Sequence, residues 1–228
     1  MNSASPRSVT IILDDAQRVS GLLQTPRKAH AGYVLAHGAG AGMTHPFMTG
    51  IADGLVERGV ATLRYQFPYM ERGSKRPDAP KLAQATVRAA VAEASRLMPD
   101  VALFAGGKSF GGRMTSHAQA ASPLSGVRGL VFLGFPLHPA GRASEERGKH
   151  LFEVRIPMFF MQGTRDQLAD LPLVQALVGR LGGRATLKLL EDADHSFHVP
   201  ARTGRKDSEI ITEMLDAMTG WIAGVSGL

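Results

Sequence analysis

Short apolar segments recur along this chain, and their lengths are typical of strands that are buried on both faces of a sheet. They are rich in Val, Leu, Phe, Tyr and Met. Strands of this kind usually run parallel to one another. We therefore predict parallel strands at residues 33–36, 60–65, 101–105, 130–135, 158–161 and 186–190.

Segments with helical periodicity fill the intervals between these strands. The clearest is residues 83–98, where apolar side chains recur at the spacing of one helix face and Lys81, Arg88 and Arg96 lie off that face. Strands that alternate with helices indicate βαβ units, and hence an α/β fold with a mostly parallel sheet covered by helices on both faces. The other predicted helices cover residues 46–58, 111–121, 173–181 and 208–223.

The chain begins with a different pattern, which predicts an antiparallel hairpin. Residues 9–13 and 18–23 are two short alternating runs, joined by a turn at residues 14–17. No repeat, linker or low-complexity tract divides the rest of the chain. We therefore expect a single domain over residues 1–228.

Reactive side chains follow several of the predicted strands directly. In a parallel sheet the carboxyl ends of the strands meet at one edge, where ligands bind. The sequence places His37 after the first central strand, Ser109 after the third, Asp166 after the fifth and His195 after the last. We expect chemistry at this edge.

Ser109 stands in the run Gly107-Lys108-Ser109-Phe110-Gly111, which fits the nucleophile-elbow pattern. Small residues before and after the serine allow a strand to turn sharply into a helix, and the turn exposes the hydroxyl. The run follows an apolar strand and opens a helical segment, which is the context that the pattern requires. Ser109 is therefore the candidate nucleophile.

A serine hydroxyl needs a base within hydrogen-bond reach and an acid that orients the base. The chain order Ser109, Asp166, His195 is that of this type of site. His198 is an alternative base, but it lies further from the end of its strand. Asp170 is an alternative acid, and Asp166 could instead cap the following helix.

Backbone N–H groups in glycine-rich turns can stabilise the oxyanion that forms in acyl transfer. The expected donors are the N–H of Phe110, the residue after the nucleophile, and that of Ala39 or Gly40 in the first glycine-rich turn. This turn lacks the G-x-G-x-x-G spacing of a dinucleotide site, and Lys108 is not part of a Walker motif. We expect neither a nucleotide nor an organic cofactor.

Composition narrows the function further. The chain has no cysteine, so a thiol nucleophile, a disulfide and a cysteine-ligated metal site are excluded. The net charge of +6 is spread along the sequence, and the only basic cluster, Arg72, Lys75 and Arg76, lies in a predicted loop. We expect no nucleic-acid partner, no metal and no membrane span, and we expect a cytoplasmic location.

Several segments together resemble the small α/β-hydrolases related to dienelactone hydrolase, over nearly the whole chain. The resemblance lies in the His37-Gly38-Ala39-Gly40 turn, the Ser109 elbow, and the runs at residues 134–139, 162–166 and 194–197. It implies a three-layer α/β-hydrolase fold without a large lid domain. It also implies a Ser/His/Asp triad of Ser109, His195 and Asp166, with an oxyanion hole near Ala39 and Phe110. Dienelactone hydrolases proper use a cysteine nucleophile, which this chain lacks.

The function expected from these residues is cleavage of a carboxylic ester, or a related acyl bond, of a small-molecule substrate. The alternative is a non-catalytic interaction scaffold that retains the fold. The interval between the strands at residues 130–135 and 158–161 is short and polar, so it predicts an open site for short or polar acyl groups. If Arg72, Lys75 or Arg76 reach the rim of this site, the predicted acyl groups include anionic ones.

Overall fold

The computed structural model of the protein describes residues 5–14 and 17–227. All its strands belong to one eight-stranded sheet with the order β1-β2-β4-β3-β5-β6-β7-β8. Strands β3 to β8 pair in parallel, whereas β1 and β2 pair antiparallel with each other and β2 with β4. The strands are β1 (Arg7–Ile12), β2 (Arg18–Gln24), β3 (Ala31–Ala36), β4 (Val60–Tyr65), β5 (Ala102–Lys108), β6 (Val127–Leu133), β7 (Met158–Gly163) and β8 (Ala185–Leu190).

Helices cover both faces of this sheet. Apolar residues of α1 and α6 pack on one face together with Tyr33 and Leu35, and those of α3, α4 and α5 pack on the other with Val34 and Ala36. The side chains of β3 thus alternate between two cores, as strand geometry requires. The helices are α1 (Pro46–Glu57), α2 (Pro68–Glu71), α3 (Pro80–Leu97), α4 (Phe110–Ala121), α5 (Leu171–Leu181) and α6 (Asp207–Ser226).

The predicted α/β architecture is confirmed, and so is each predicted strand; β4 has the predicted bounds, and the ends of the others are shifted. The strand predicted to end at residue 105 continues as β5 to Lys108, because Gly106 and Gly107 pair with β3 on one side and β6 on the other. The strand predicted to reach residue 135 ends at Leu133, since Gly134 has a φ of +70°. Residues 15 and 16 of the predicted hairpin turn lie outside the described residues.

The loops contain short elements that the sequence pattern did not predict. The four-residue helix α2 begins at Pro68, and proline suits the first position of a helix. Between β6 and β7 the described chain contains a 3-10 helix, Glu146–Glu153, and no inserted domain. The expected absence of a large lid domain is therefore confirmed. Two shorter 3-10 helices cover Gly182–Arg184 and Ala201–Thr203.

Within the described part of the chain, no helix is both long and apolar enough to pass through a membrane.

The order of the strands reverses at β3, which lies between β4 and β5. Such a switch point opens a crevice at the carboxyl ends of the strands. The turn after β3 and the turn after β5 border this crevice. The chain thereby places the His37–Gly42 turn beside Ser109.

Candidate active site

Ser109 lies alone between β5 and α4, at the sharp turn that the elbow pattern predicts. Its backbone has φ 49° and ψ −112°, a strained conformation for a residue with a side chain. The Ser109 N–H donates to the carbonyl of Leu133 at 3.1 Å, which ties the turn to the end of β6. The hydroxyl is thus held above the sheet edge.

Two glycines of the elbow are required by close contacts. A Cβ atom on Gly107 would lie 2.1 Å from the carbonyl oxygen of Ala36, and one on Gly111 would lie 2.6 Å from that of His37. Both values are far below van der Waals contact. Glycine at these positions lets the elbow approach the end of β3.

His195 lies on a tight loop after β8 that Asp194 organises. The Asp194 carboxylate accepts the N–H groups of Ser196 at 2.7 Å and His198 at 3.0 Å. The loop is also anchored by Phe197, whose ring is buried and stacks on that of Phe47 with centroids 5.7 Å apart. The His195 imidazole is therefore presented from an ordered turn.

Ser109, His195 and Asp166 form a continuous hydrogen-bonded chain. His195 Nε2 lies 2.9 Å from Ser109 Oγ, and His195 Nδ1 lies 2.7 Å from Asp166 Oδ2. Because a carboxylate only accepts hydrogen bonds, Nδ1 carries the proton in this arrangement and Nε2 is free to accept from the serine hydroxyl. The three side chains that the sequence analysis selected thus come together.

The Asp166 side chain is completely buried, and each of its oxygens accepts a hydrogen bond in addition to the one from His195. Oδ1 accepts the N–H of Leu168 at 2.8 Å, and Oδ2 accepts the side-chain amide of Gln162. Gln162 is itself held by the N–H of Phe135, which donates to Oε1 at 3.0 Å. A buried carboxylate requires such donors.

Gln162 was not identified from the sequence. It is fully buried at the end of β7, in the otherwise apolar run Met158–Gly163. A polar residue in a strand that is buried on both faces must find partners there, so its position close before Asp166 was the available signal.

The two alternatives to the site residues have other partners. His198 is exposed, and its Nδ1 lies 2.9 Å from the carboxylate of Asp207, which raises the pKa of His198. Asp170 is the N-cap of α5 and accepts the N–H of Leu173 at 3.3 Å. Within the described part of the chain, neither side chain forms a hydrogen bond with His195 or Ser109.

Of the expected oxyanion donors, Phe110 and Ala39 have N–H groups without an acceptor among the described residues. Phe110 is the first residue of α4, where backbone N–H groups have no partner inside the helix. The N–H of Gly40, by contrast, donates to the hydroxyl of Tyr69 at 3.3 Å. In this turn the N–H group that is free to bind an oxyanion is therefore that of Ala39 rather than that of Gly40.

His37 holds the turn that carries Ala39. Its Nε2 accepts the N–H of Phe67 at 3.0 Å, so Nδ1 is protonated and donates to the carbonyl of Gly38 at 2.8 Å. Burial lowers the pKa of His37 to about 4, and the ring is neutral at pH 7. This histidine is a buried support of the turn.

A cavity of about 360 Å³ opens beside Ser109 and His195. Most of its remaining lining is apolar, including Phe47, Met48 and Leu168, and in the part of the chain that the structure describes Lys108 is the only lysine or arginine that lines it. Arg72, Lys75 and Arg76 are not part of the lining, and Arg72 pairs with Asp78 at 2.7 Å. These dimensions suit a small molecule.

A mostly parallel sheet that carries a serine on a strained strand-to-helix turn, with a histidine after the last strand, defines a protein of the α/β-hydrolase class. The sequence profile of the family described as "Alpha/beta hydrolase domain" matches residues 29–223, and the chain therefore belongs to this family. The resemblance expected from the sequence is confirmed at the level of the superfamily. Membership supports a hydrolytic function.

Solved structures with the same fold include a dienelactone hydrolase from Anabaena variabilis, with a TM-score of 0.75, 20% identity and coverage of 97% of this chain and 99% of that one. A Xanthomonas campestris protein described as an α/β serine hydrolase without a lid gives a TM-score of 0.74, 21% identity and 97% coverage of both chains. The esterase domain of a Rhodothermus marinus protein gives a TM-score of 0.72 and 16% identity, with 96% of this chain and 98% of that one covered. At these identities the likeness shows a shared fold.

Proposed function

We propose that the protein is a serine hydrolase that cleaves a carboxylic ester, or a related acyl bond, of a small substrate through an acyl-enzyme on Ser109. The observation that carries this proposal is the hydrogen-bonded chain from Ser109 Oγ through the His195 imidazole to the Asp166 carboxylate, at 2.9 and 2.7 Å. Side chains in this geometry can activate a hydroxyl that is otherwise a poor nucleophile.

In the first half of the proposed reaction, Ser109 Oγ attacks the substrate carbonyl carbon while His195 Nε2 takes the hydroxyl proton. Asp166 stabilises the resulting imidazolium and does not itself take the proton. His195 then donates this proton to the leaving oxygen as the bond between carbonyl carbon and leaving group breaks. The products of this half are the free alcohol and the acyl-enzyme.

In the second half, water attacks the acyl-enzyme and His195 accepts a proton from it. The proton returns to Ser109 Oγ as the acid product leaves. The N–H groups of Phe110 and Ala39 are the proposed oxyanion donors, since they lack acceptors among the described residues. This mechanism requires neither a metal nor an organic cofactor.

Labelling with a fluorophosphonate tests the proposal directly, because the reagent phosphonylates an activated serine. We expect the label on Ser109, located by peptide mass spectrometry, and no label on Ser109→Ala. Ser196→Ala is the matched control, since Ser196 lines the same cavity but the His195 ring nitrogens bond to Ser109 and Asp166. If folded wild-type protein takes no label, the scaffold alternative replaces this proposal.

A further inference from the structure

A second cluster of basic side chains lies between α4 and the 3-10 helix Glu146–Glu153. Arg113 and His117 come from α4, and Arg147 and His150 come from the 3-10 helix. The rings of His117 and His150 stack with centroids 3.5 Å apart and an interplanar angle of 16°. None of the four residues lines the cavity beside Ser109.

Arg113 is the unusual member of this cluster. Within residues 5–14 and 17–227 its guanidinium forms no hydrogen bond or ion pair, although its Nε atom is completely buried. Buried polar atoms nearly always have a partner. Although Arg113 as a residue is only half-buried, its buried Nε–H lacks an acceptor among the described residues.

The charged neighbours that shift the pKa values within this cluster are all basic side chains of the cluster itself. The pKa of Arg113 is lowered by burial and, to a smaller extent, by the charge of Arg147. The pKa of His117 is lowered by burial and, to a smaller extent, by the charge of Arg113. The pKa of His150 falls to about 3 because of burial, His117 and Arg113. The cluster therefore repels further positive charge and favours an anion.

The carboxylates of the same segment are engaged elsewhere. Glu145 pairs with Arg180, Glu146 pairs with Lys149 at 2.6 Å, and Glu153 pairs with Arg155 at 3.6 Å. His150 Nε2 lies 2.7 Å from Ser116 Oγ, so its ring is held in place within the cluster. No acidic side chain from this segment supplies the acceptor that Arg113 lacks.

We propose that Arg113 and Arg147, with the stacked His117 and His150, form a binding site for an oxyanion such as phosphate, sulfate or a carboxylate. Guanidinium groups bind such anions with paired, charge-assisted hydrogen bonds. Arg113 follows Ser109 by four residues, about one helical turn and 6 Å of rise along α4, and it is the member of the cluster nearest to Ser109 in the sequence. Binding of the anion itself does not depend on the proposed hydrolytic function.

The first test is a sulfate titration of ¹⁵N-labelled wild-type protein at constant ionic strength, with chloride as the other anion. Sulfate is the probe because it does not titrate near neutral pH. We expect saturable shifts of the His117 and His150 ring signals and a rise in the pKa of both rings. A wild-type protein in which chloride and sulfate give the same spectra would overturn the proposal.

Variants then locate the site by calorimetry. We expect Arg113→Met to weaken sulfate binding by about tenfold or more, as does loss of a charge-assisted hydrogen bond. Arg147→Gln is a second variant at the site in case Arg113→Met does not fold. Arg128→Met is the control. Arg128 is exposed near the start of β6, outside α4 and the 3-10 helix, so this variant should leave sulfate binding unchanged. Equal weakening in all three would contradict the proposal.

The oxyanion could be a free ion or a group on the substrate, and ester hydrolysis separates the two sources. In the substrate case, Arg113→Met lowers kcat/KM for a monosuccinate ester but not for the matching butyrate ester. In the free-ion case, Arg113→Met changes kcat/KM for both esters by the same factor, and sulfate binding is still lost. Sulfate binding can also be measured on Ser109→Ala, so failure of this proposal is distinguishable from failure of the hydrolase proposal.

Discussion

The Lys108 ammonium donates a hydrogen bond to the backbone carbonyl of His195. It also lies 4.9 Å from the centroid of the Phe197 ring and 6.0 Å from that of Phe47. The residue directly before the proposed nucleophile thus holds the residue proposed as its base. This contact links the elbow to the histidine loop.

We predict that Lys108→Met lowers kcat by about tenfold at pH 7, the scale of one charge-assisted hydrogen bond, with little change in KM. Burial lowers the pKa of Lys108 to about 8, against the opposing effects of Asp166 and Asp194. Wild-type kcat should therefore fall as the pH rises through about 8, because the neutral amine is a weaker donor. Lys108→Arg should keep activity and lose this alkaline decline.

The same pKa shift has a consequence for stability. Because the folded protein loses the Lys108 proton near pH 8 and the unfolded chain only near 10.5, stability should increase with pH between these values. At pH 7 the buried charge of Lys108 therefore lowers the free energy of unfolding, and we expect Lys108→Met to raise Tm.

The positioning role of Lys108 has its own test. If Lys108→Met had the wild-type kcat and the wild-type pH profile, that role would be refuted.

Gln162 should matter for both stability and turnover. Gln162→Met leaves the buried N–H of Phe135 without an acceptor and removes a donor from Asp166. We expect a loss of about 1–3 kcal/mol in the free energy of unfolding, measured with urea, and about a tenfold drop in kcat.

Gln119→Met is the matched control for Gln162. Gln119 is also buried, and it accepts the N–H of Leu124 at 2.8 Å, far along α4 from Ser109. It should lose similar stability and keep its activity. Equal losses of kcat in both variants would mean that the effect of Gln162 is general destabilisation.

Asp166→Asn tests the proposed acid. An amide cannot hold the required tautomer of His195, and comparable changes in this type of site lower kcat by about 10⁴. Asp170→Asn is the comparison, because the Asp170 carboxylate caps α5 and it is Asp166 that bonds to His195 Nδ1. Since Asn is also a good N-cap, we expect this variant to keep both its Tm and its kcat. The opposite pattern of activities would assign the acid to Asp170.

The acyl preference follows from the cavity and from the segment between β6 and β7. Each buried methylene contributes about 0.8 kcal/mol, but only where an apolar tunnel surrounds it. Here the 3-10 helix of this segment packs on α4, where His150 bonds to Ser116, and its residues do not line the cavity. We expect kcat/KM for nitrophenyl esters to stop rising by octanoate. A steady rise to palmitate would show a long apolar pocket.

The sequence by itself determined the α/β architecture and the edge at which to look for chemistry. Apolar runs and helical stripes are local patterns, and parallel strands bring their carboxyl ends together whatever their loops contain. The elbow glycines around Ser109 are likewise readable, because a sharp turn in tight contact demands them. Chain order was then enough to select His195 and Asp166 as candidates.

Only the tertiary structure decided which distant residues meet. Asp166 and His195 are 29 residues apart, Lys108 and His195 are 87 apart, and Ser116 and His150 are 34 apart. The choice of Ala39 over Gly40 depended on the Tyr69 hydroxyl, which lies on a helix that the pattern did not predict. Such contacts depend on how separate elements and loops pack together, and no local periodicity records that packing.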